Sequence, residues 1–232
     1  LGDVYKRQPN NMPNWLWDFE ARPISEDDKD NLKSYERISK RGFKGSLYKT
    51  DEFINQHPFG TVPAGFVGDE HLGVFESNSI LRAVARECKD KTLYGGEDIN
   101  LKSRIDSYLD ANLVFSREFQ VYLLELEDIT KYTYERTKSA YQFYMDGLEN
   151  SLSKNNFLAG DSLSIADISF VCEFAQFLRE GHYLNQLKSK NLSLISENFQ
   201  TDYPLTFKHF KNLCNKKEFS DVMGTYLDWY KM

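Results

Sequence analysis

Cysteine is scarce and scattered in this chain: Cys88, Cys172 and Cys214 stand far apart, with no C-x-x-C. An odd, dispersed set fits a reducing cytosol better than a disulfide framework. The four histidines, His57, His71, His182 and His209, show no ligand spacing, so no metal centre is expected. No apolar run approaches the roughly 18 residues that a membrane-spanning helix needs. An excess of positive charge is also missing. With 29 Lys and Arg against 35 Asp and Glu, the formal net charge is -6. That balance argues against nucleic acid or an anionic membrane as a partner. What is present is ordinary globular material, 41% hydrophobic and 28% charged. Such a composition supplies a real core, and 232 residues allow one large domain or two small ones.

The first eight residues, LGDVYKRQ, lack the apolar centre of a signal peptide. Asp3 to Gln8 resembles one reading frame of a transposon-derived adapter used in DNA sequencing libraries. Residues 1–8 are therefore set aside as an artefact, and Tyr5 is not read as a catalytic tyrosine. Pro9 to Asn14 is turn chemistry. The aromatic, alternating WLWDFEARPI (15–24) predicts a strand ended near Pro23. SEDDKDNLKSYERISK opens with a cap at Ser25 and acids in the next turn, which predicts a short helix. RGFKGSLY reads as an exposed loop, and KTDEFINQH as one or two helical turns ended by Pro58.

Thr61 to Ala64 and Leu72 to Phe75 read as strands joined by the polar turn Gly68-Asp69-Glu70. After Glu76, Ile80, Leu81, Ala83 and Val84 predict a helix. Residues 89–100, charged and holding Gly95-Gly96, read as a linker between a domain over 9–88 and one over 101–232. The second domain is helical in texture. Ile105, Leu109, Leu113, Phe119, Leu123 and Leu126 trace one long amphipathic helix. A second runs over about 131–152, with Tyr134, Tyr141, Tyr144, Met145 and Leu148 on one side. Further helices follow Ser164, Asp202 and Lys217. Ser164 and Asp167 form a capping-box pattern, flanked by Leu163 and Ile168 as a hydrophobic staple. This motif is structural, worth about 0.5–2 kcal/mol.

Two dipeptides carry the functional question. A proline inside a strand removes a ladder donor and often marks a cis bond. At Val62-Pro63 this offers both backbone groups of Val62 to an extended ligand, as an added strand does. The alternative is an edge strand protected by its proline. At Glu76-Ser77 a strand gives way to a helix, whose first N–H groups lack partners. A ligand carboxylate gains from those donors, the helix dipole and the Ser77 hydroxyl. Glu76 accepts from an ammonium. The alternative is that Ser77 merely caps its own helix. Taken together, the two pairs suit a small peptide with a free amino-acid terminus.

The stretch NQHPFGTVPAGF…VFESNSILRAVAR resembles the N-terminal thioredoxin-like domain of the cytosolic glutathione S-transferases. Their pattern is Asn-Pro-x-Gly-x-Val-Pro, a hairpin, then Glu-Ser-x-x-Ile. FLAGDSLSIADIS (157–169) resembles the capped helix of their helical domain. The resemblance covers the chain from about Trp15 onward. It implies an α/β thioredoxin-like domain followed by an all-helical bundle. It also implies glutathione as co-substrate, a small electrophile, a homodimer and a cytoplasmic location. Val62, before a cis Pro63, would pair with the cysteinyl backbone. Glu76 and Ser77 would hold the γ-glutamyl end. Thr61 stands where the family often has Lys or Gln near the glycyl carboxylate, and its shorter side chain departs from that pattern. Asn55 and His57 depart slightly from the expected Asn-Pro environment.

WDFEARPI would then correspond to the family's second strand. On that reading the first β-α unit, with the Tyr, Ser or Cys that stabilises the thiolate, is missing, and the catalytic residue is unknown. Such enzymes gain rate by stabilising the thiolate and holding the electrophile nearby. An electrophile pocket would be lined by Arg104, Tyr108, Ala111 and Phe115 on the first helix of the second domain. Each has an alternative as surface or ordinary core. Arg82 and Arg86, one turn apart, read as a solvated or salt-bridged face. The same stretch also resembles the transferase-like domain in the gamma subunit of eukaryotic translation elongation factor one. There the fold would be a protein-interaction module without turnover.

Overall fold

The computed structural model describes residues 15–38 and 46–224. The adapter-like start, the Pro9–Asn14 turn and most of the expected 41–48 loop lie outside them. The chain divides into two compact units between Ala83 and Val84.

The N-terminal unit holds two small sheets. Strands β1 (Trp15–Trp17), β2 (Ala21–Pro23), β3 (Glu36–Ile38) and β4 (Ser46–Lys49) form one, in the order β2-β1-β4-β3. The β1–β4 pair is parallel, with Leu16 opposite Tyr48, and the other two pairs are antiparallel. Strands β5 (Ala64–Val67) and β6 (Leu72–Phe75) form a separate antiparallel pair.

Several expectations change here. The single strand over 15–24 is a hairpin, because Asp18 folds the chain back. Its carboxylate accepts from Glu20 N–H at 2.7 Å while its own N–H donates to the Glu20 carbonyl. The expected helix from Ser25 is a 3-10 turn (Glu26–Asp28), one helical turn α1 (Leu32–Tyr35), then β3. The segment lacks an apolar stripe, and Asp28 is engaged instead by Ser25 and Arg22. Strand Ser46–Lys49, with its first three residues expected in a loop and Lys49 at a helix start, pairs on both edges. The strand expected at Thr61 starts at Ala64. Pro63 has no N–H to give, and the polar atoms of Thr61 are taken by His57.

Helix α2 (Asp51–Gln56) is capped by Thr50, whose Oγ1 accepts from Phe53 N–H at 3.2 Å. Its end lies directly on β6. A Cβ at Gly73 would stand 2.0 Å from the Gln56 carbonyl oxygen, so only glycine fits. Leu72–Phe75 and the following helix, α3 (Ser77–Glu87), form where the sequence places them. Helix α3 runs through the division at Ala83. The expected linker belongs to the helical unit. Asp90 caps a 3-10 turn there, and buried Tyr94 donates its hydroxyl to Asp106 at 3.0 Å.

The helical unit contains α4 (Ile99–Glu125), α5 (Lys131–Leu152), α6 (Ile165–Phe177), α7 (Leu184–Ser189), α8 (Phe199–Asp202), α9 (Pro204–Cys214) and α10 (Lys217–Met223). No strand occurs in it among the described residues. Tyr134, Tyr141, Tyr144, Met145 and Leu148 are all buried, as the α5 periodicity predicts. On α4 the register holds at Ile105, Leu109, Phe119 and Leu126. Phe115 and Tyr122 are fully buried as well, whereas Leu113 and Leu123 are only half-buried. The unit's centre is an aromatic stack in which Phe177 meets Phe115, Phe119, Tyr141 and Phe174. No helix among the described residues is long and apolar enough to cross a membrane.

Candidate functional site

The site is built around the segment between α2 and β5. Pro58 ends α2, and the next five residues reach β5 without ladder pairing. Gly60, at φ 59, adopts the left-handed conformation, and its carbonyl accepts from the ammonium of Lys49 on β4. The Val62–Pro63 bond is cis. Ladder pairing begins only at Ala64 opposite Phe75, so Val62 stays outside the sheet. Its backbone groups take no hydrogen-bond partner among the described residues, and its side chain is 40% exposed.

Behind Val62 stands His57, which is completely buried. Its Nε2 lies 3.0 Å from Thr61 N, 2.8 Å from Thr61 O and 3.2 Å from Thr61 Oγ1. The ring stacks on Phe75 with centroids 4.5 Å apart and 8° between planes. Phe75 and Gly73 alternate with Val74 on one face of β6, so one face receives both the end of α2 and the imidazole. Burial pushes the His57 pKa below its ordinary value.

In front of Val62 and Pro63 is a cleft of about 290 Å³, walled by Trp17 and Phe19 of the first hairpin and by Phe53 and Phe66. Phe66 is held edge-on by Phe19 at 5.0 Å and by Phe53 at 5.8 Å. Asp18 and Glu20 add carboxylates to the lining. The hairpin wall was not foreseen. Its only sequence signal is the aromatic alternation of WLWDFE, and the turn that aims it depends on one Asx contact.

Glu76 closes the other side of the segment. It adopts φ 67, a left-handed conformation that a non-glycine residue rarely takes. Its carbonyl accepts from Ser79 and Ile80 N–H, both at 3.0 Å, so Glu76 is the residue that starts α3. Ser77 is the first helical residue and half-buried. It therefore does not occupy the cap position that the alternative reading gave it. Thr61 is exposed as a residue, yet its hydroxyl lies within hydrogen-bonding distance of His57.

The four residues read for an electrophile pocket all lie on α4. Phe115 is 1% exposed and packs in the aromatic core, stacked on Tyr144 at 4.9 Å. Arg104 donates to the Ala159 carbonyl at 3.2 Å and to the Tyr108 hydroxyl at 3.2 Å. Tyr108 donates to Ser151 at 2.6 Å, and Ser151 donates to the Leu158 carbonyl. Arg104 and Tyr108 thus tether the 155–160 loop to α4 and α5. Ala111 lies exposed on α4. Cys214 is buried, and burial pushes its thiol up to about 12, far from a reactive thiolate.

Comparison with known proteins places this geometry. The family model for the glutathione S-transferase C-terminal domain matches residues 120–217. Among solved structures, the glutathione transferase URE2P6 of Phanerochaete chrysosporium, in complex with oxidized glutathione, aligns with a TM-score of 0.60 at 20% identity. That alignment covers 78% of this chain and 79% of the other. The Drosophila melanogaster glutathione S-transferase isozyme E7 aligns at 0.58 and 23% identity, covering 76% and 74%. The chain has the glutathione S-transferase fold, a small β-containing region followed by the helical C-terminal domain of that family.

By sequence it is similar to elongation factor 1-gamma 1 of Oryza sativa subsp. japonica, 29% identical over 198 residues. Elongation factor 1-gamma of Artemia salina is 26% identical over 192 residues. These alignments cover 81% and 82% of this chain but 42% and 40% of the relatives. The chain therefore spans about two fifths of the length of the curated relatives it matches.

Proposed function

We propose that this chain is a glutathione-binding module of transferase fold, serving protein interaction in the manner of an elongation factor 1-gamma subunit. The observation that carries the ligand is the Val62 edge. Its two backbone groups are outside the ladder and face no protein partner among the described residues. The cysteinyl backbone of glutathione adds to that edge as a short strand. The γ-glutamyl head reaches Glu76 and Ser77, where the start of α3 offers helix N–H groups to its carboxylate. Glu76 accepts from its ammonium. The role in interaction rests on the sequence relatives. A homodimer and a cytoplasmic location go with this reading.

A second role, conjugating glutathione to small electrophiles or reducing a peroxide or disulfide, is favoured by the solved transferases of the same fold. One set of measurements separates the two. Retention on glutathione-agarose is expected, with Glu76→Ala weakening glutathione binding at least about tenfold, or about 1.4 kcal/mol. Turnover of a generic aryl halide is expected to be weak or absent, while translation factors are captured in a pull-down. Rapid turnover with no such capture makes the chain an enzyme. Equal affinity in Glu76→Ala removes Glu76 from the ligand site.

A further inference from the structure

We infer that His57 is the positioning residue of the ligand edge: its neutral imidazole clamps Thr61 so that Val62 faces the cleft, and protonating the ring releases that edge. The inference rests on the glutathione reading for its ligand, but the clamp is visible without it. A single ring nitrogen lies within 2.8 to 3.2 Å of all three polar atoms of Thr61, the residue directly before Val62. The ring cannot swing away from them. It is wedged against Phe75 in a stack and against Phe53 at 5.7 Å, with no exposed surface.

The chemistry follows from the donor inventory. Thr61 N–H and its hydroxyl are donors, so Nε2 serves both only when it carries no proton. The ring proton then sits on Nδ1, which is buried without a hydrogen-bond partner. Imidazolium bears N–H on both nitrogens. It cannot accept from the Thr61 amide, and it places a charge against two phenylalanine rings. It keeps the Thr61 carbonyl, already 2.8 Å from Nε2, as acceptor and sets its new N–H against the Thr61 amide 3.0 Å away.

The Thr61 backbone hydrogen bond favours the protonated ring, and burial opposes it more strongly. Lys49 from β4 opposes protonation and Glu76 from the start of α3 favours it, while Phe53 on α2 and Phe75 on β6 contribute no charge. Burial is the largest influence and keeps the ring neutral at physiological pH. His57 and Thr61 form one device. The hydroxyl of Thr61 is directed inward to the imidazole instead of outward to the ligand.

The test has two arms on the full chain. In the first, amide spectra of the ligand-free protein are followed from pH 8 to pH 4.5. The Thr61 and Val62 amides are expected to move with the His57 ring, with a midpoint below the ordinary histidine value of about 6.5. His57→Gln, which keeps a neutral acceptor, should abolish that movement. In the second arm, glutathione affinity is measured at pH 7.5 and pH 5, an interval in which its carboxylates and ammonium keep their charges. The wild type is expected to lose at least about tenfold at pH 5, and His57→Gln to stay within about threefold across both pH values. His57→Ala is expected to bind at least about tenfold more weakly at pH 7.5. Amides that ignore the His57 titration, or an acid loss that persists in His57→Gln, overturn the clamp. A wild type that fails to bind glutathione at pH 7.5 overturns the ligand reading instead, while the amide arm still decides the clamp.

Discussion

In the helical unit, buried carboxylates bind the chain to itself. Asp167 accepts from Leu158 N–H, Ser164 N–H and the Ser164 hydroxyl, all at 2.9 Å, and meets His209 at 2.9 Å. Glu180 takes the Tyr122 hydroxyl at 2.7 Å together with Ile195 and Ser196 N–H, although burial pushes its carboxyl up. In the N-terminal unit the Asp18–Arg22–Asp28 chain runs from part-exposed Asp18 and Arg22 to buried Asp28, and Thr50, His57 and Asn78 are buried as well. Its strands are three or four residues long, and β5–β6 stands apart from the other sheet. The contrast shows where each unit spends its interactions. One engages the carboxylates of Asp167 and Glu180 with its own backbone and hydroxyl donors. The other leaves a backbone edge open, and that is where a ligand can add.

Four experiments would sharpen or break this contrast. The largest effect is expected for Asp167→Ala, which strands three donors and His209 in the core and should cost about 3–5 kcal/mol by denaturant unfolding. A loss near 1 kcal/mol would mean that the network is incidental. Leu16→Ala, at a position 1% exposed, is expected to cost about 2–3 kcal/mol within the N-terminal unit. Amide exchange should accelerate in β1 and β4 and stay unchanged in α5 and α6. Uniform acceleration would show that the units unfold together.

Glu149 caps α9 through Leu205 N–H, Thr206 N–H and the Thr206 hydroxyl, each at 2.8 or 2.9 Å. Glu149→Gln is expected to cost about 1 kcal/mol, read from the shift in the denaturant midpoint. The smallest effect belongs to Arg22→Ala, below about 1 kcal/mol, because the pair is partly exposed. Its pH dependence has a definite sign. Hydrogen bonds from Arg22 and Ser25 hold the Asp28 carboxyl well below the ordinary carboxylate range. The unfolded chain therefore takes the proton first. The contribution is complete above roughly pH 4 and is lost as pH falls further. Acid titration of Arg22→Ala should lack most of that loss, and an unchanged acid limb would place it elsewhere.

Legibility differed along the chain for physical reasons. The span Lys131–Leu152 and its buried tyrosines were readable because six helical turns repeat one apolar face. Leu72–Phe75 was readable because a polar turn and the start of a helix bracket it. The hairpin at 18–20 and strand Ser46–Lys49 were not, since three- and four-residue strands contain too few periods to register. At Phe115 spacing left pocket lining and ordinary core both open. Phe115 shares a helical side with Arg104 and Tyr108, yet α5 and α6 close over it.

The residues alone determined that Val62-Pro63 and Glu76-Ser77 would flank one short hairpin, because proline chemistry and a strand-to-helix junction are local properties. They also determined the helical texture of the second half. Only the tertiary structure decided that His57 would fasten Thr61, that Trp17 and Phe19 would wall the cleft, and that Arg104 and Tyr108 would tether a loop. Those contacts join segments whose approach depends on which apolar faces find each other in the folded chain, and no local pattern encodes that choice.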